Sequence, residues 1–105
     1  MGTTVVWVAV DVLDDATVDL ALAQGISWER QGAVLVKVHT GHAFVDALAY
    51  VNAVGEVAEA MDHHPDIDIR WNTVTLRLST HSAGGLTAAD LELARRIDAL
   101  APTTA

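Results

Sequence analysis

The chain has no cysteine, which excludes a disulfide framework and thiol chemistry. It has six basic residues against fourteen acidic ones, a formal charge of −8. That balance argues against a protein that tracks a phosphate backbone, so no nucleic-acid partner is expected. No apolar run approaches the length that spans a bilayer, and no basic segment precedes an apolar stretch at the start. No membrane partner is expected, and the cytoplasm is the expected compartment. Neither an internal repeat nor a low-complexity linker breaks the sequence, apart from a Pro/Thr/Ala tail.

What is present fits one folded domain. Its 105 residues, 51% of them hydrophobic, are enough for a core without a metal or disulfide staple. Thr3 to Val12 is β-branched and apolar. It reads as a strand, or as an extension pairing weakly at a sheet edge. Asp14-Asp15 can cap a short helix through Gln24 that Gly25 ends, and Ala33 to Val38 reads as a strand. From about Gly41 to Met61, the apolar residues Phe44, Leu48, Val51, Val54, Ala58 and Met61 recur at helical spacing. A final helix from about Thr87 to Leu100 buries Leu91, Leu93, Ala94, Ile97 and Leu100, with Arg95-Arg96 toward its C-terminal end.

Between these helices, Ile67 to Thr80 alternates apolar and polar residues around Asn72-Thr73, the pattern of a β-hairpin. A turn at Asn72-Thr73 pairs Trp71 with Val74, Ile69 with Leu76, Ile67 with Leu78 and Asp68 with Arg77. Extended outward, the same count sets His64 opposite His81, although sixteen residues separate them in the chain. His63 arrives from the end of the long helix, because Pro65 biases His64 toward an extended backbone. Glu59 lies four residues before His63 and shares its face if the helix runs that far. Three imidazoles are thereby expected at one place, with His63 the best-placed proton donor.

Other readings of these residues stand beside this one. Histidines with Glu59 and Asp90 are also ligand types for a metal. However, the chain has no HExxH, and adjacent histidines lack the i, i+4 spacing of a helical zinc site. Thr87-Ala-Ala-Asp90 resembles a capping box opening the last helix, which would give Asp90 a structural job. Trp71 reads as a hairpin packing residue or as a stacking platform. Helices and adjacent antiparallel strands in this order give an α+β fold, a single antiparallel sheet with helices packed on one face. Its short edge invites pairing with a second copy.

Glu59, His63-His64-Pro65, Trp71, Thr80-His81, Gly85-Leu86-Thr87 and Asp90 together resemble the pterin-4a-carbinolamine dehydratases. Three residues separate Glu59 from His63, five separate Pro65 from Trp71, nine separate Trp71 from His81 and eight separate His81 from Asp90. The resemblance covers about Leu13 to Leu100, setting residues 1–12 apart as an extension before a domain at 13–105. It implies an α-β-β-α-β-β-α order and a homodimer or homotetramer. The reaction it implies is dehydration of a 4a-hydroxytetrahydropterin such as 4a-hydroxytetrahydrobiopterin, with no metal or organic cofactor. His63, His64 and His81 become the expected catalytic residues, His63 and His81 as the acid/base pair. Glu59, Pro65, Trp71, Thr80 and Asp90 become the expected substrate-binding or supporting residues, with Glu59 holding His63. Some relatives of this fold act instead as non-enzymatic dimerisation or assembly modules. The chain departs from the family's habit at His39 and Gly41, where aromatic residues are usual.

Overall fold

The computed structural model describes residues 11–100, so the strand expected within Thr3 to Val12 lies largely outside the described residues. The elements run α1 (Asp15–Ala23), β1 (Glu29–Gln31), β2 (Val34–Thr40), α2 (Phe44–Met61), β3 (Asp66–Arg70), β4 (Thr73–Leu78) and α3 (Ala88–Asp98). The four strands make one antiparallel sheet in the order β1-β2-β4-β3. This is the α-β-β-α-β-β-α order expected of the sequence. Between α1 and the long helix, residue patterning shows only β2, because β1 is three polar residues, Glu29-Arg30-Gln31, with nothing to alternate.

One sheet face is the core face. Directly paired residues point to the same side, and Leu35, Lys37 and His39 pair with Leu78, Leu76 and Val74, all three fully buried. Val18 and Ala21 of α1, Ala47, Tyr50 and Val54 of α2, and Leu91, Leu93, Ala94 and Ile97 of α3 close over that face. Arg30 fastens α1 to the first hairpin by reaching Asp15 at 2.6 Å and Asp19 at 3.5 Å. Among the described residues, no helix is long and apolar enough to cross a membrane.

α2 buries Val54, Ala58 and Met61 as its spacing predicts, but its first half buries a different face. Ala47, Tyr50, Val54, Ala58 and Met61 are buried, whereas Phe44 is 46% and Leu48 40% exposed. The helix is apolar along two adjacent stripes that merge at Val54. The sheet takes the stripe carrying the small Ala47 and flat Tyr50, and Phe44 and Leu48 are left outward.

The second hairpin is slipped from the expected register. Arg70 pairs with Thr73, Ile69 with Val74, Ile67 with Leu76 and Asp66 with Arg77. The turn therefore sits one residue earlier, at Trp71-Asn72, and every partner moves by two. Asn72 explains the shift: its Nδ2 donates to Gly41 O at 2.8 Å, and Gly41 N donates to Asn72 O at 2.9 Å. That tie to the loop before α2 holds Asn72 in the turn, and Trp71 takes a left-handed φ of 54° and stays 66% exposed. A two-residue slip of partners preserves the faces, so Ile67 and Ile69 still point toward the helices. It does not preserve the expected opposition of His64 and His81, which lie beyond both strand ends.

Candidate active site

The site forms where α2 ends, β4 ends and α3 begins. α2 stops sooner than Pro65 alone requires. Asp62 adopts a left-handed conformation (φ 50°), its N–H is shared between Ala58 O and Glu59 O, and the His63 N–H returns to Ala58 O at 3.1 Å. This is a Schellman-type ending with aspartate in the position glycine usually fills. It turns the chain before His63, so His63 is not in the last helical turn and does not share a face with Glu59.

The expected partnership between Glu59 and His63 is accordingly replaced. His63 Nε2 meets Asp90 Oδ1 at 2.6 Å, while His64 Nε2 bonds Glu59 Oε2. The two pairs differ in setting. His63 and Asp90 side chains are 14% and 0% exposed, against 53% and 78% for His64 and Glu59. An exposed pair of this kind contributes little to stability, whereas a buried carboxylate must be fully hydrogen-bonded to be tolerated.

Asp90 meets that requirement. Its Oδ2 accepts from Thr80 Oγ1 at 2.6 Å and from the Thr87 backbone N–H at 2.9 Å, the second bond being the backward half of a capping box. The two threonine hydroxyls lie 2.9 Å apart. Capping and site support are therefore the same feature, because Oδ2 caps the helix and leaves Oδ1 for His63. The loop before α3 is closed by Thr80 N donating to Gly85 O at 2.9 Å and Gly84 N donating to Thr80 O at 2.9 Å. Gly84 supplies the φ of 78° that this closure needs. His81 rides on the loop, exposed, one residue from the threonine that holds Asp90.

The structure thus brings His63, Asp90 and Thr80 into one hydrogen-bonded chain, with His81 adjacent to Thr80 and His64-Pro65 immediately after His63. It does not bring Trp71 there. The five residues of β3 separate Trp71 from Pro65, six steps or roughly 20 Å at the usual rise per strand residue. Thr87 is a site residue whose only role expected from the sequence, beyond its part in the resemblance, is a helix cap. The T-x-x-D spacing signalled it, but not its contact with Thr80. An open groove of about 760 Å³ runs beside the cluster, lined by Val51, Asn52, Gly55, Glu56, Glu59 and Ile67. It borders the histidines at Glu59, and His63 and His81 do not line it. Among the described residues, no group of three or more histidines and carboxylates is arranged to hold a metal ion.

A titratable ring held by a buried, donor-saturated carboxylate is the layout of a proton-transfer site. Comparison with known proteins gives the class. The profile of the family described as Pterin 4 alpha carbinolamine dehydratase matches residues 11–100. A protein of Thermomicrobium roseum, provisionally named a pterin-4-alpha-carbinolamine dehydratase, is 51% identical over 89 residues, 85% of this chain and 96% of that one. A Nocardia farcinica protein of the same provisional name is 50% identical over 91 residues, 87% of this chain and 96% of that one. Among solved structures, a transcriptional coactivator/pterin dehydratase from Brucella melitensis aligns with a TM-score of 0.79 at 26% identity, covering 85% of this chain and 97% of that one. A pterin dehydratase-like RuBisCO assembly factor of the alpha-carboxysome aligns with a TM-score of 0.58 at 26% identity, covering 70% of this chain and 87% of that one.

The chain belongs to the pterin-4a-carbinolamine dehydratase family, whose enzymes are hydro-lyases.

Proposed function

We propose that this protein dehydrates a 4a-hydroxytetrahydropterin to the quinonoid dihydropterin by histidine acid–base catalysis. The supporting observation is the His63–Asp90 contact, an imidazole anchored to a fully buried carboxylate at 2.6 Å. In the reaction the C4a–O bond breaks and the leaving hydroxyl takes a proton to depart as water. The N5–H pair becomes the C4a=N5 double bond, and the N5 proton passes to a base. His63 and His81 form the acid/base pair, and His64, steadied by Glu59, orients the 4a-hydroxyl or receives the N5 proton. Each positioned acid or base contributes roughly 10²–10⁴-fold in rate. In this reading the product feeds tetrahydropterin recycling after aromatic hydroxylation, in the cytoplasm.

The test is stopped-flow dehydration of a chemically generated carbinolamine by the wild type, His63→Ala and His81→Ala. Both variants should lose turnover while keeping the wild-type circular dichroism spectrum. Wild-type rates in both would remove these residues from the mechanism.

A second reading has an observation of its own, the likeness to the RuBisCO assembly factor. On that reading the fold is an assembly module and turnover is absent. The complete histidine set favours the enzyme, since a scaffold has no use for His63 on Asp90. Both readings accommodate self-association. The outward apolar patch of Phe44, Val45 and Leu48 and the β3 edge, unpaired among the described residues, support a homodimer or homotetramer, which light scattering with chromatography reads directly.

A further inference from the structure

Two threonines surround Asp90, and their geometry decides which nitrogen of His63 is available. Asp90 is 0% exposed, so its hydrogen bonds come from protein groups. Oδ2 takes the Thr80 hydroxyl at 2.6 Å and the Thr87 amide at 2.9 Å, which fill its two lone-pair directions. With its hydrogen committed to Asp90, the Thr80 oxygen can only accept from Thr87 Oγ1, 2.9 Å away. The direct contact from Thr87 Oγ1 to Oδ2 is longer, at 3.4 Å. Every neighbour of Oδ2 donates, so the carboxylate serves as an acceptor at both oxygens. The 2.6 Å contact at Oδ1 then requires a hydrogen on His63 Nε2.

We propose that Thr87, acting through Thr80 and Asp90, is a positioning residue that commits neutral His63 to the Nε2–H tautomer. The hydroxyls run in one direction, Thr87 to Thr80 to Asp90, and Asp90 receives from His63. His63 Nδ1 is left as the nitrogen that exchanges a proton with substrate. That last clause rests on the dehydratase reading, but the tautomer does not. The order of importance follows from position in the chain. Thr80→Val removes a donor from Asp90 itself, Thr87→Val removes only the donor behind it, and Thr87→Ser keeps the hydroxyl and should restore the wild-type state.

The experiment is a long-range proton–nitrogen correlation spectrum of full-length protein labelled with ¹⁵N-histidine, recorded at alkaline pH where imidazoles are neutral. Wild type and Thr87→Ser should show His63 with a protonated Nε2 and a bare Nδ1. Thr87→Val loosens the carboxylate, so a fraction of the His63 rings should leave Oδ1 and show a mixture of tautomers, and Thr80→Val should release a larger fraction. Steady-state dehydration should give kcat about 10-fold lower in Thr80→Val with KM within about twofold, and a smaller fall in Thr87→Val. An Nδ1–H tautomer in the wild type overturns the proposal without any variant, so a variant that fails to fold does not shield it. Wild-type tautomers in both valine variants overturn it equally. Should the protein show no dehydration at all, the functional reading falls, and the spectra still decide the clamp.

Discussion

The two ends of α3 each hold an aspartate against the core, and they neutralise it in opposite ways. At the C-terminal end, Asp98 accepts from Lys37 Nζ and Trp28 Nε1, both at 2.9 Å, and from Ser27 N at 2.8 Å. Burial pushes its carboxyl up, but the Lys37, Ser27 and Trp28 bonds outweigh that and hold it below the usual carboxylate range. Lys37 lies on the core face of β2, and its amine also reaches Ser27 Oγ at 2.8 Å. This is a permanently compensated corner joining β2, the segment before β1, and α3. At the N-terminal end, Asp90 is more deeply buried and has no lysine or arginine. Its ionisable partner is an imidazole, which carries charge only in one of its two states. One end spends its carboxylate on architecture, and the other couples it to a proton that can leave.

The largest expected effect tests that contrast at Asp90. In Asp90→Asn the amide oxygen should stay with the threonine donors, which turns the NH₂ toward His63. His63 would then have to accept at Nε2 and carry its hydrogen on Nδ1, the wrong tautomer for the proposed chemistry. A fall in kcat of about 10²–10⁴-fold is expected, by analogy with the loss seen when a histidine-orienting aspartate is amidated. Stability should change by under about 1 kcal/mol, since the cap bond survives. Asp98→Asn should do the reverse. It leaves Lys37, 19% exposed, without its counter-ion. A loss of about 2–3 kcal/mol is expected, below the range for fully buried pairs, with kcat unchanged within about twofold. Urea unfolding and steady-state rates on the two variants decide the matter. The contrast breaks if Asp98→Asn abolishes turnover or if Asp90→Asn is the more destabilised of the two.

How much of this the sequence disclosed depended on whether local rules were sufficient. Alternation in β3 and β4 gave the correct faces, because a face depends only on parity. It missed the register, which Asn72 sets through a bond to Gly41, thirty-one residues away in the chain. Helical spacing found α2 and the buried residues of its second half, Val54, Ala58 and Met61, but not the buried side of its first half, since two apolar stripes satisfy the same periodicity there and only the sheet can choose between them. His63, Asp90 and Thr80 were legible as a set through their spacing. Their pairing was not: Asp62 ends α2 in a left-handed conformation that glycine would have announced and aspartate does not. Glu59 consequently went to the wrong histidine. Thr87 was legible as part of the family pattern and as a helix cap, but not as a partner of Thr80, because the second use of its hydroxyl depends on Thr80 being folded against it.

The smallest expected effect sharpens the comparison from the compensated side, which has a titratable group of its own. His39 stacks on Tyr50 with centroids 3.8 Å apart and planes 10° from parallel, and both His39 Nε2 and the Tyr50 hydroxyl are buried without a partner among the described residues. Burial, and to a lesser degree the charge of Lys37, push His39 below its ordinary value of 6.5. Burial, with Asp98 adding, pushes Tyr50 up to about 12. The facing groups are Lys37 from β2, Tyr50 from α2 and Asp98 from α3, while β4 contributes only apolar residues to this face. A depressed histidine means the unfolded chain binds the proton first. Its contribution to stability is therefore complete above pH 6.5 and is lost as pH falls from there toward the folded value. Asp98 acts in a separate window, its stabilisation fading only below its own ordinary value of 3.8. Phenylalanine at this position removes the orphaned nitrogen and keeps the stack. His39→Phe should add about 1 kcal/mol at pH 7.5 and more at pH 5.5, flattening the acid limb above the Asp98 window while leaving dehydration rates alone. Unfolding midpoints at the two pH values measure it. An acid limb as steep in His39→Phe as in the wild type would mean that the protons taken up on mild acidification bind elsewhere, and that the architectural end of α3 is indifferent to pH until Asp98 itself titrates.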